Sequence, residues 1–115
     1  MLSNDSKTLE NSGVNVLVSA DHAIACMYGR IDMESSPAVR SRLLALLGAP
    51  LVKMVSVDLS AVTHLDSSGI ATLIEALKVA RARRTELKLE GLQDQLLRVF
   101  EFTGLLSLFN GSAGR

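Results

Sequence analysis

Apolar and polar residues alternate first at Val14, Val16 and Val18, a period of two that predicts a β-strand. Asp21-His22 supplies turn residues, and the apolar run from Ala23 to Tyr28 predicts a second strand, ended by Gly29, that closes a hairpin with the first. After Asp32 the period lengthens to that of a helix. Ser35 and Ser36 offer capping oxygens, Pro37 suits a first helical turn, and Val39, Leu43, Leu46 and Leu47 fall on one face before Gly48 and Pro50 stop the helix.

Leu51 to Leu59 is apolar at nearly every residue through Val52, Met54, Val55 and Val57, which predicts a central strand covered on both faces. It leads through Val62 and Leu65 into Asp66-Ser67-Ser68-Gly69. Beyond that turn, Ile70, Leu73, Ile74 and Leu77 mark a long amphipathic helix with Lys78, Arg81 and Arg83 outside. Leu87 and Leu89 predict a short fourth strand closed by Gly91, and Leu96, Val99 and Phe100 a third helix. Gly104 reads as its C-cap, and Leu105 to Phe109 as an added edge strand. A hairpin followed by alternating strands and helices gives an α/β domain: a mixed sheet whose N-terminal hairpin leads into parallel βα units.

The chain has 115 residues, 48% of them hydrophobic, enough for one self-sufficient core and too few for a second domain. Residues 1–13 are polar and read as a flexible arm, 14–109 as the folded domain and 110–115 as a flexible tail. Acidic and basic residues balance at 12 each, so no global field draws the chain to nucleic acid or to an anionic membrane. The arm lacks the apolar core of a signal sequence, and no stretch is long and apolar enough to insert in a bilayer. The single cysteine, Cys26, has no internal partner and suits a reducing compartment. A cytoplasmic protein is expected.

Candidate chemistry sits where the most apolar strand ends and a helix begins, the usual meeting place for ligands and partners in open α/β sheets. Asp66, Ser67 and Ser68 stand at a helix N-terminus, whose unpaired N–H groups and positive dipole end favour an added phosphate. The four residues by themselves are equally what a plain helix cap requires. Elsewhere there is no Gly-x-Ser-x-Gly elbow, no phosphate-binding Gly-rich loop and no Cys-x-x-Cys pair, so neither an enzyme nor a cofactor is indicated. His22 and His64 lie far apart and read as turn or loop residues, and no metal site is assigned.

The wider run Val57-Asp58-Leu59-Ser60-Ala61-Val62-Thr63-His64-Leu65-Asp66-Ser67-Ser68-Gly69-Ile70 resembles the signature of STAS-domain anti-sigma factor antagonists. Tyr28-Gly29-Arg30-Ile31-Asp32 sits where that family has its Gly-x-Leu-Asp turn, with Arg30 where an acidic residue is common. Phe102-Thr103-Gly104-Leu105 resembles its Gly-Leu after the third helix. The resemblance implies a protein that binds an anti-sigma factor serine kinase and so frees a sigma factor. Phosphorylation of Ser67 would switch it off, and the chain would be the kinase's substrate, not a catalyst. It also implies a partner surface formed by Asp32, Asp66, Ser67, Ser68 and Gly69, with Gly69 admitting the partner's backbone. The family's antagonists carry another helix after the last strand, which the small residues of 110–115 are not expected to supply. STAS domains also serve as tails of sulfate permeases and as subunits of lipid-asymmetry ABC exporters. The alternative is therefore a stand-alone subunit that binds and stabilises an ABC transporter ATPase.

Overall fold

The computed structural model describes residues 11–114, with side chains through 109. The predicted arm at 1–13 therefore lies largely outside the described residues, and Gly13 already belongs to β1. Strand β1 (Gly13–Ser19) pairs antiparallel with β2 (His22–Ile31), Val16 lying opposite Ala25. Helix α1 (Ser36–Gly48) leads to β3 (Met54–Leu65), which runs parallel to β2, and α2 (Ser67–Arg83) leads to β4 (Glu86–Glu90), parallel to β3. Helices α3 (Asp94–Thr103) and α4 (Leu105–Gly114) complete the chain. The sheet order is β1-β2-β3-β4, the mixed α/β architecture expected.

Period-two patterning explains how the layers meet. Ala23, Ala25 and Met27 of β2 and Val55, Val57 and Leu59 of β3 are wholly buried, and the pairings Val55 with Leu87 and Val57 with Leu89 carry that apolar face across to β4. Val39, Leu43, Leu46 and Leu47 of α1 and Leu73, Ala76, Leu77 and Ala80 of α2 pack onto it. The alanines of β2 let these helices sit close to the sheet, while large side chains from the helices fill the space. On the opposite face Leu17 and Lys88 are exposed and Ile24 and Cys26 half-buried. Among the described residues, β3 is thus covered by helices on one face only, and not on both as its apolar run predicts. Its polar residues alternate out of the core: Asp58 is half-exposed, and buried Ser56 bonds the His22 ring at 3.0 Å.

Further expectations are corrected. Strand β2 continues through Gly29 to Ile31, because Gly29 (φ +77°) carries an irregularity in the β2–β3 register there. A side chain on it would collide with the Asn11 carbonyl oxygen, and only glycine permits that crossing. Strand β3 starts at Met54, since Leu51 belongs to the turn after α1, where it is exposed. Leu105 to Phe109 form no edge strand. Gly104 in the left-handed region (φ +79°) ends α3, and the chain winds straight into α4, placing Phe109 against Phe100 with ring centroids 6.3 Å apart. An Arg81 guanidinium N–H donates to the Leu108 carbonyl at 2.9 Å and ties α4 to α2. The final helix expected to be missing is therefore present, and residues 110–114 of the predicted tail are helical. Val99, expected in the core, is 40% exposed, whereas Leu96 and Phe100 are buried.

Candidate functional site

Strands β2 and β3 end side by side, with Ile31 opposite Leu65 and the Asp66 N–H donating to the Ile31 carbonyl at 3.1 Å. Each strand is followed by an aspartate, so Asp32 and Asp66 emerge together at the C-terminal edge of the sheet. This edge is where the parallel strands hand over to helix N-termini.

Asp66 is the N-cap of α2. Its extended backbone (φ −95°, ψ −171°) turns the carboxylate back over the first turn, where Oδ1 accepts from the Ser68 N–H at 2.9 Å, the Gly69 N–H at 3.2 Å and the Ser68 hydroxyl at 2.6 Å. The Ser68 hydroxyl, above all, holds the Asp66 carboxyl below its ordinary pKa. The Gly69 and Ser68 N–H groups and the field of Arg30 add to this, against an opposing desolvation. Asp66 is therefore an anion whose near oxygen is fully engaged. Ser67, the first residue of the helix, is exposed, and its hydroxyl makes no hydrogen bond among the described residues. Ser68 next to it is half-buried with its hydroxyl committed.

Gly69 is buried. A Cβ there would stand 2.6 Å from Leu65 Cδ1 and 3.1 Å from the Ile31 carbonyl oxygen. Within the fold, the close approach this glycine allows is between α2 and its own strands β2 and β3.

The Asp32 turn is built differently. Asp32 Oδ1 accepts from the Glu34 N–H at 3.0 Å and the Ser35 N–H at 3.2 Å, and Oδ2 lies 3.4 Å from Arg30 Nε. Ser35 makes no cap bond to α1, although it stands at the N-cap position. Its hydroxyl donates to the Arg30 carbonyl at 2.8 Å and accepts from the Asp32 N–H at 3.0 Å. The Ser35 N–H chiefly, then the Glu34 N–H, the Arg30 charge and the Ser35 hydroxyl, lower the Asp32 pKa against desolvation. Pro37 does occupy the first turn, as predicted. Beside this turn lies a groove of about 520 Å³ whose lining includes Tyr28, Arg30, Asp32, Ser35 and Arg42.

Asp32, Asp66, Ser67 and Ser68 are thus gathered at one edge, with Gly69 packed beneath them. Arg30 and Ser35 complete the arrangement and were not singled out from the sequence as site residues; the Asp-x-x-Ser spacing of 32 to 35 is the signal for the latter. A bidentate pair, Arg40 Nε and Nη2 each 2.7 Å from a Glu75 carboxylate oxygen, joins α1 to α2 nearby and carried no local signal. No group of three or more metal-ligating side chains occurs among the described residues.

Fold and site together define a small α/β module with one uncommitted serine hydroxyl at a capped helix start. The STAS domain model matches residues 14–113, and the chain belongs to the STAS domain family. It is 36% identical over 85 residues to an anti-sigma-B factor antagonist of Listeria monocytogenes, covering 74% of each chain. Against the anti-sigma-B factor antagonist of Bacillus subtilis it is 31% identical over 105 residues, covering 90% of this chain and 93% of that one. The structure of the Bacillus cell fate determinant SpoIIAA in its phosphorylated form superimposes with a TM-score of 0.67 at 17% identity, over 80% of this chain and 84% of that one. The chain also overlays 20% of the longer Mglu chain over 70% of its own length (TM-score 0.62, 21% identity), a likeness of fold alone.

Proposed function

We propose that this chain is an anti-sigma factor antagonist whose state is set by phosphorylation of Ser67. The observation that carries the reading is the free, exposed Ser67 hydroxyl beside a carboxylate already satisfied by its own turn, in a chain whose named relatives are anti-sigma-B factor antagonists. Unmodified, the edge formed by Asp32, Asp66, Ser67 and Ser68 binds an anti-sigma factor, a serine kinase, and so releases a sigma factor in the cytoplasm. The kinase transfers the γ-phosphoryl group of ATP to Ser67 Oγ, the hydroxyl proton is lost and ADP leaves. The chain is the substrate of that step.

The α2 N-terminus tolerates the phosphate, while roughly two added negative charges and three bulky oxygens enter a contact built to exclude water. A cost of about 3 kcal/mol there weakens binding more than a hundredfold. The named relatives favour this reading over the transporter-subunit alternative. Incubation with a cognate anti-sigma serine kinase and ATP, followed by peptide mass spectrometry, is expected to place one phosphate on Ser67 and none on Ser67→Ala. Phosphate on another residue, or none at all, overturns the assignment.

A further inference from the structure

Arg30 sits where the two turns meet. Its register partner across β2 and β3 is His64, Asp66 bonds the backbone of the adjoining Ile31, and the guanidinium is 3.4 Å from Asp32. The same charge reaches Asp66. Its side chain is 62% exposed, so packing holds it only loosely. Its hold on Asp32 is also dispensable, since the Glu34 and Ser35 N–H groups secure that carboxylate without it.

We propose that Arg30 is the internal counter-ion of the Ser67 phosphate: on modification the guanidinium leaves Asp32 for the phosphoserine, and the wall it shares with the adjacent groove moves with it. This rests on Ser67 being the modified residue and adds how the domain itself registers the change. An exposed Arg–carboxylate pair with one long contact is weak, whereas a phosphate dianion offers charge-assisted, bidentate acceptors to the same fork. Other charges near the site are few. Glu34 and Asp32 lie in the preceding turn, Arg42 lines the groove, His64 is the last residue but one of β3, and α2 has no acidic residue in its first turn. Arg30 is the cation whose charge acts on the Asp66 carboxylate at the helix start and on Asp32 at once. Phosphorylation then does more than block a surface: it removes the counter-charge from Asp32 and moves the groove wall beside the other half of the docking edge, while the turn itself stays held by the Glu34 and Ser35 N–H groups.

The test places phosphoserine at position 67 by genetic encoding, so it needs no kinase and stays distinct from the mass-spectrometric test. The second phosphate pKa is read from the ³¹P chemical shift during a pH titration. Arg30 favours the dianion, so the value is expected to be lower in the Arg30 protein than in Arg30→Gln by about half a unit or more, with the gap shrinking in high salt. Arg30→Lys is expected to restore much of the difference. The Arg30 Nε–H resonance, followed by ¹⁵N NMR, is expected to shift on comparing Ser67 with phosphoserine 67. Equal pKa values in Arg30 and Arg30→Gln, or an unmoved Nε–H signal, overturn the proposal even where kinase treatment modifies Ser67.

Discussion

The two aspartate turns at the sheet edge have nearly the same ingredients, an Asp after a strand and paired serines at a helix start, yet they are wired in opposite ways. At Asp32 the serine three residues on is consumed: Ser35 bonds the Arg30 carbonyl and the Asp32 backbone, and Ser36 is buried. At Asp66 the carboxylate closes the cap with Ser68, and Ser67 is left facing solvent. Helix-start composition alone does not mark a modifiable serine. What marks it is which hydroxyl the turn leaves without internal work.

The largest expected effect tests that asymmetry directly. Ser67→Asp is expected to weaken binding of the anti-sigma partner at least about a hundredfold by calorimetry, whereas Ser35→Ala leaves it within about threefold. Equal losses would mean that the two turns share the switch. Next in size, Gly69→Ala forces a methyl against Leu65 and the Ile31 carbonyl and is expected to cost about 1–3 kcal/mol in urea unfolding, with Ala71→Ser on the exposed side of α2 near zero.

The smallest effect concerns pH. Asp66 and Asp32 both have lowered pKa values in the folded chain, so the stability each adds is present above the unfolded carboxyl value and lost as pH falls through the folded one. Asp66→Asn is expected to lower the Tm by about 3–5 °C at pH 7, a gap that closes below about pH 4. Asp32→Asn is expected to behave alike by a smaller amount. A gap that widens in acid would contradict the charge assignment.

The mixed sheet with its N-terminal hairpin, three of the helices and the capped start of α2 were legible because they rest on local signals: period-two alternation, helical apolar faces and an Asp-led cap. What stayed hidden depends on neighbours remote in sequence. Leu105 to Phe109 is apolar and short, a length at which strand and helix patterns coincide. Its helical state is set by Gly104 turning the chain and by Phe109 finding Phe100. Gly29 read as a strand end because glycine interrupts pairing; in the fold it accommodates the crossing Asn11 backbone and the strand continues. Gly69 was legible as a close-approach residue, but only its surroundings reveal that α2 meets β2 and β3 there. Arg30 acquires its position between two carboxylates from the β2–β3 register, which no single segment encodes.

One backbone hydrogen bond carries a longer-range implication. The Asp66 amide grips the Ile31 carbonyl, so the spacing of the two loops is fixed by main-chain atoms that only a proline at position 66 would remove. Lineages can therefore redraw the charges and shapes on both loops, and with them the choice of interlocutor, while inheriting the same frame. Divergence in who is recognised need not disturb how the signal is written.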